Sequence, residues 1–295
     1  MIYLFLIVLS YLTNTFSIRI RTRFGAALGR LLSRFSKSRL NIAIDNLTHA
    51  FPDKSSDWIN KTAVATFENL GIVLLEILAL RTMSQEKIKN YIKFTNIDLF
   101  DKSYQNGSST LMLSGHFGNW ELLALGGGLY VKQQILIAVE PQRNQNINTD
   151  INNMRTRFGN RITSRYNAAR EIVNGIKKNY LIALLVDQSA SITKDIFVDF
   201  FGRPASTYEA PASLALRFRI PVIFGVMVRQ DDGTYLVDPV TVPHDDLDDD
   251  KAGIEEFTRR HVKLLEKAIR EHPEQWAWMH RRWKHQPPEG WSSNA

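Results

Sequence analysis

His116 and Glu121, five residues apart in Ser114-Gly-His-Phe-Gly-Asn-Trp-Glu-Leu-Leu123, are the pair in this chain whose types and spacing can move a proton. An imidazole held at one ring nitrogen by a carboxylate keeps one tautomer. Its charged form is stabilised, and its other nitrogen can serve as a general base. Thr110–Leu113 reads as a strand, Gly115 and Gly118 bracket the histidine, Asn119 suits a helix N-cap, and "WELLAL" opens a helix. His116 is therefore expected on a strand-to-helix loop at the carboxyl end of a sheet strand, where α/β proteins form ligand crevices. Glu121 is expected in the first helical turn, where the dipole favours it, with the loop folding the imidazole back over that turn. The glycines are expected to admit a substrate close to the backbone, and amides near the helix start to stabilise an oxyanion. From spacing alone, a satisfied loop histidine beside a dipole-favoured glutamate fits equally well. A zinc site is the weaker alternative, because the pattern is not HExxH and His49 lies far away in sequence.

The elements that must position this pair can be read from the apolar pattern. Ser56–Leu80 has the texture of one long helix, preceded by a break over Asn46–Pro52. From residue 108 short apolar runs at 111–113, 135–139, 181–186, 196–200 and 221–228 alternate with helical patterns near 120–130, 147–158, 168–177 and 208–218. This alternation predicts an α/β fold, a central and mainly parallel sheet flanked by helices. A late amphipathic helix is expected over 252–271. Gly126–Gly128 lacks the spacing and preceding strand of a dinucleotide fingerprint and is expected to permit close packing. The acidic run Asp245–Asp250 lacks the glycine and spacing of a calcium loop.

Charge divides the chain in two. No acidic residue precedes Asp45, and the seven basic residues ahead of it (Arg19, Arg21, Arg23, Arg30, Arg34, Lys37 and Arg39) account for the whole net charge of +7. The remainder is neutral, which argues against a nucleic-acid-binding body. Residues 1–18 carry no charge and as a helix would measure about 27 Å, close to the roughly 30 Å of a bilayer core. The arginines follow this stretch, whereas a secretory signal places its cations before it. The expected organisation is a membrane-anchoring helix with a basic segment over 1–44, either a marginal span or a helix in the interface, and a catalytic domain over 45–295. A buried core helix is the alternative for the first segment. The chain has no cysteine, which excludes disulfides and thiolate zinc sites. Trp276, Trp278 and Trp283, interleaved with His280, Arg281, Arg282 and Lys284, are expected to form an aromatic and cationic end segment near lipid headgroups or an acyl carrier, in preference to a base-stacking surface.

"HFGNWE" resembles the His-x4-Asp/Glu signature of the glycerolipid acyltransferase superfamily. The longer stretches "GHFGNWELL", "LLVDQSA", "IFVDFFGRPAST" and "HPEQWAWMHRRWK", with "NLTHAFP" near the start, are similar to the bacterial lipid A biosynthesis acyltransferases, the late lauroyl and myristoyl transferases. The likeness runs in order from about residue 1 to 286. It implies transfer of a fatty acyl chain from acyl carrier protein to a hydroxyl of a lipid A precursor, at the cytoplasmic side of the inner membrane and with no metal or redox cofactor. It makes His116 the general base and Glu121 its orienting partner. Arg155 in "MRTRFG" and Asp187 in "VDQ" become substrate-binding residues. Ser189 and Glu140 stand where many relatives carry other polar residues, which leaves the acceptor open. Relatives that acylate phosphatidylinositol mannosides share these motifs. A non-catalytic membrane-binding protein remains a different class, and it would leave His116 and Glu121 without a common cleft.

Overall fold

The computed structural model describes residues 2–190 and 196–291, with side chains from residue 7 onward; Met1 of the expected anchor lies outside the described residues. Four helices open the chain: α1 (Ile2–Thr15), α2 (Ile18–Phe35), α3 (Lys37–Ala50) and α4 (Ser56–Leu80). After α5 (Gln85–Tyr91), β1 (Ile92–Phe94) and α6 (Asp98–Gln105), the α/β alternation begins. It runs β2 (Thr110–Ser114), α7 (Trp120–Gly126) with a 3-10 turn at Gly127–Leu129, β3 (Ile135–Val139), α8 (Gln145–Thr156), β4 (Arg161–Ser164), α9 (Ala168–Lys177) and β5 (Leu181–Leu185). A ribbon of β6 (Ile196–Phe200) and β7 (Arg203–Thr207) leads to α10 (Ala210–Phe218). The chain closes with β8 (Val222–Phe224), β9 (Met227–Arg229), β10 (Tyr235–Val237), β11 (Val240–Thr241), α11 (Lys251–Glu271) and a 3-10 turn at Pro273–Gln275.

The central sheet has strand order β11-β8-β2-β5-β3-β4, parallel throughout except for β11. Side chains alternate across it with period two. Leu111, Leu113, Leu136, Ile182, Val222 and Phe224 face a core shared with α9, α10 and α11. Met112, Ile135, Ile137, Val139, Leu181 and Ile223 face the other way, toward Phe100 of α6. The expected run 221–228 is two strands in different sheets: β8 joins the central sheet, whereas β9 pairs with β10, and β10 with β1. The short strands β1, β4, β7, β10 and β11 carry too few apolar residues to be seen as a pattern.

The N-terminal region differs most from its sequence reading. Residues 18–35 of the expected basic segment form a helix packed along α4. The expected break at Asn46 comes later, because α3 continues to Ala50, and the expected boundary at residues 44/45 lies inside α3. The close packing of α2 on α4 has a steric basis. Gly25 and Gly29 on α2 meet Gly71 on α4, and a Cβ at Gly29 would overlap the Phe67 carbonyl while one at Gly71 would overlap the Gly25 carbonyl. Small residues one turn apart let two helix backbones touch. By length and composition α4 could cross a membrane, but 56% of its apolar window is buried inside the protein. Gly29→Val would place a branched side chain in this backbone contact, and overpacking costs about 1–3 kcal/mol or more. A melting temperature several degrees below wild type is expected, with no comparable change for the exposed Ala27→Val.

Candidate active site

His116 leaves the end of β2 and Asp187 leaves the end of β5, and the two strands are parallel neighbours with Ser114 opposite Leu185. Both residues are two positions beyond that pair, so the register sets them side by side at a strand spacing of about 4.8 Å. The result is a buried ion pair. His116 Nδ1 lies 2.8 Å from Asp187 Oδ1, and the His116 backbone N–H donates to Oδ2 at 2.8 Å. Trp276 Nε1–H donates to the same Oδ2 at 2.9 Å. Asp187 is 2% exposed. Burial works against its charge, but the His116 interactions and the three donors win and bring its pKa down to about 2. Burial likewise opposes a charged His116, yet the attraction of Asp187, helped by Glu121, raises its pKa above the ordinary value. With Nδ1 held by Asp187, the proton belongs there and the Nε2 lone pair faces outward, 3.3 Å from Gln188 Nε2. The Trp120 ring packs edge-on against the imidazole at 5.2 Å.

Glu121 does not orient the histidine; the hydrogen-bond partner of His116 is Asp187. Gly118, at φ 53°, turns the chain away from the imidazole before α7 begins, and its N–H donates to the Gln275 carbonyl at 2.9 Å. Arg155, at the end of α8, then captures the Glu121 carboxylate in a two-pronged pair, Nε to Oε2 at 2.8 Å and Nη2 to Oε1 at 2.5 Å. The glycines also serve another purpose than the expected one. A Cβ on Gly118 would overlap the Met227 carbonyl, and one on Gly115 would crowd Leu265 and Asp187. They close the loop against protein, not substrate. Asn119 is the N-cap as predicted: its Oδ1 accepts from Leu122 N–H at 2.9 Å, and its Nδ2 donates to buried Glu76 at 2.8 Å. The amides of His116, Gly118 and Leu122 are thus committed to Asp187, Gln275 and Asn119, and none of the three is free for an oxyanion.

His116, Glu121 and Arg155 line one groove of about 520 Å³, together with Trp120, Ser114 and Gln188. Its walls are the outward residues of three strands, Met112 of β2, Ile135, Ile137 and Val139 of β3, and Leu181, Ala183 and Leu185 of β5, closed by Phe100 and Phe94. Asp187 is behind His116 and does not line the groove, so its contacts are with the base and not with the cavity. The end segment is also placed differently from its reading. Trp276, Trp278 and Trp283 are buried, packed with Phe51, Phe200 and Phe201 in the core behind Asp187. Arg282 is buried with them and donates to the Ser206 carbonyl and Thr207 Oγ1. His280, kept neutral by burial with its pKa down to about 4, accepts from Ser189 N–H at 3.1 Å. Among the described residues no cluster of metal-ligating side chains occurs.

Asp187 and its donors make an acid-labile element. Its folded pKa of about 2 is below the ordinary 3.8, so its stabilisation is complete above pH 4 and is lost as pH falls through 2. The shift corresponds to an amount on the order of 2 kcal/mol. Wild-type melting temperature is expected to drop across pH 4 to 2, and Asp187→Asn is expected to flatten that slope while lowering stability at neutral pH.

The family described as Bacterial lipid A biosynthesis acyltransferase matches residues 1–285 of this chain. The chain is 24% identical over 264 residues to a lipid A biosynthesis palmitoleoyltransferase of Escherichia coli K12, covering 89% of this chain and 84% of the relative. It is 26% identical over 272 residues to a lipid A biosynthesis lauroyltransferase of the same organism, covering 90% and 85%. It is also 25% identical over 263 residues to a lipid A biosynthesis myristoyltransferase of that organism, covering 86% and 78%. Three relatives at nearly equal identity carry the names of three different acyl chains.

Proposed function

The chain belongs to the bacterial lipid A biosynthesis acyltransferase family, and from that premise we propose that it moves a fatty acyl chain from an acyl carrier protein thioester to a hydroxyl of a lipid A precursor, with His116 as general base. The observation that carries this reading is the His116 Nε2 lone pair, its tautomer fixed by Asp187 at 2.8 Å, at the mouth of a groove with apolar walls. The acceptor O–H attacks the thioester carbonyl carbon and its proton passes to Nε2. The tetrahedral intermediate collapses, the C–S bond breaks, and the imidazolium returns the proton to the leaving thiolate. Asp187 takes the orienting part expected of Glu121. Glu121 favours the imidazolium from nearby, and the Arg155 guanidinium that clamps it opposes this, so Asp187 carries the stabilisation of the charged ring. The convergence of His116 and Glu121 on one groove argues against a non-catalytic binding protein.

The apolar groove is the natural place for the acyl chain. It follows the full run of β3 from Ile135 to Val139, about 13 Å at the rise of a parallel strand. An extended chain advances about 1.2 Å per bond, so the groove fits about eleven bonds of a medium-length acyl chain. Each buried CH₂ contributes about 0.8 kcal/mol. The proposed donor is an acyl carrier protein, and charge complementarity with an acidic carrier would speed the encounter.

A membrane seat on the cytoplasmic side of the inner membrane completes the reading, since the acceptor is a lipid. Among the described residues, seven of the thirteen exposed large hydrophobic ones (Val8, Tyr11, Leu12, Ile20, Phe24, Leu31 and Phe35) lie on α1 and α2. On α2 the apolar positions Ile20, Phe24, Ala27, Leu31 and Phe35 recur at helical spacing beside Arg19, Arg23, Arg30 and Arg34. Helix α1, with 14 residues, measures only about 21 Å, short of the roughly 30 Å bilayer core. An interfacial seat on the outward faces of both helices therefore fits better than a span.

Mass spectrometry of lipid A from cells lacking or expressing the chain should show an added acyl group of medium length, and acylation of a different glycolipid would overturn the acceptor assignment. His116→Ala should lower turnover about 10²–10⁴-fold while the protein stays folded. Near-normal turnover in that variant would remove His116 from the mechanism. Phe24→Asp combined with Leu31→Asp should move the protein toward the soluble fraction and slow transfer on membrane-embedded acceptor. Transfer to a detergent-dispersed acceptor should change little, and unaltered membrane flotation would place the seat elsewhere.

A further inference from the structure

The corner where α1 turns into α2 contains a cleft of about 400 Å³, bordered by Thr15, Ser17, Arg21, Lys87, Asn90 and Tyr91 among others, none of which touches the His116 groove. Arg21 is the anomaly there. It is 1% exposed, yet only its Nη1 has a hydrogen bond, to the Thr13 carbonyl at 3.1 Å. Its Nε and Nη2 have no partner, and its guanidinium carbon is 5.2 Å from the centre of the Tyr91 ring. A buried cation with unmade donors is costly, and such groups mark places where an ion or water completes the structure. Glu76 attracts Arg21 from a distance, but its Oε2 is already shared by Asn119 and Tyr235.

Two further positive features converge on the cleft. Lys87 reaches in from α5, with Nζ donating to the Asn14 carbonyl at 2.6 Å and to Asn14 Oδ1 at 2.8 Å. Burial and the charge of Arg21 both push its pKa down, so these two cations oppose each other across the site. The cleft also contains the start of α2, an 18-residue helix capped by Ser17, whose side chain accepts from Ile20 N–H. The amides of Ile18 and Arg19 in its first turn have no acceptor within the helix, and the dipole presents positive potential there. No carboxylate lines the cleft.

We infer that the α1–α2 corner is a phosphate-binding site in which Arg21, Lys87 and the first turn of α2 hold the phosphate group of a membrane lipid. A phosphate offers acceptor oxygens in several directions at once, as a guanidinium, an ammonium and helix amides together require. The anion site stands on these residues alone. The lipid as source of the phosphate rests on the membrane seat proposed above, since Tyr11, Leu12 and Ile20 at the same corner are exposed.

The test compares three probes at matched ionic strength by melting temperature and calorimetry on the full chain: dioctanoyl phosphatidic acid, dioctanoylglycerol and inorganic phosphate. The expected result is stabilisation by the phosphatidic acid and none by the glyceride that lacks the phosphate. Lys87→Met should weaken that binding by at least about tenfold, with turnover on a detergent-dispersed acceptor unchanged. Arg21→Met should abolish binding. Lys87 is only partly buried, so its variant decides the matter if the Arg21 variant does not fold. Equal stabilisation by inorganic phosphate would keep the site and overturn the lipid source. Absence of any phosphate-dependent shift in the wild type, or a full shift in Lys87→Met, would overturn the site.

Discussion

The carboxylate of Asp187 is the constraint on which the rest of the site depends. A buried acid persists in charged form only where donors surround it. Three surround this one, from two separate parts of the chain: the backbone N–H and the imidazole of His116 on the β2–α7 loop, and the indole of Trp276 some ninety positions after β5. Each donor is held by something further. The loop is pinned by the Gly118 amide on Gln275 and by a bridge between Phe117 and Trp276. The indole is wedged among Phe200 and Trp278. The end segment, which reads in sequence as a sticky aromatic surface, is thus the structural back wall of the base.

This arrangement explains which parts of the site are legible in the sequence. The β2–loop–α7 unit, the Asn119 cap and the place of His116 at a strand's carboxyl end are local, and local residue types determine them. The partner of His116 is not local. It is 71 positions away, and only the register of two parallel strands brings it into contact. In sequence Glu121 is the nearer partner, because proximity along the chain is visible there and register is not. The sequence points to Arg155 and Asp187 as contacts for substrate; in the fold Arg155 engages Glu121 while lining the groove, and Asp187 engages the base. The groove was also hidden. It arises where the faces of β2, β3 and β5 that carry Met112, Ile137 and Ala183 are left uncovered between α6 and α7, a property of how layers pack and not of any one segment.

The site and the N-terminal helices are connected through α4. One side of this helix contacts α2 at Gly71, and its last third carries Glu76, which accepts from Asn119 at the start of α7 and from Tyr235 at 2.6 Å. Asn69 of the same helix contacts Arg229 and donates to the Gln275 carbonyl at 3.3 Å. Burial and the neighbouring Glu76 raise the pKa of Tyr235 well above its ordinary value, which keeps the phenol a donor. Helix α4 therefore joins the N-cap of α7 to the layer formed by α1 and α2.

That connection bears on which helix meets lipid. Helix α4 is the long apolar helix by composition, but hydrocarbon around it would strand Glu76 and Asn69 without the partners they have in the folded protein. Its apolar residues are answered by protein on several sides, which is what a core helix needs. Helix α2 is the reverse case: too charged to cross a bilayer, with its small-residue face consumed by α4 and its apolar ridge left outside between arginines. Such a helix is suited to the boundary between headgroups and acyl chains. If α2 lies there, α4 behind it holds the rim of the groove at a fixed distance from the bilayer surface. The helix–helix contact through Gly25, Gly29 and Gly71 then fixes α2 against the helix whose Glu76 holds the start of α7.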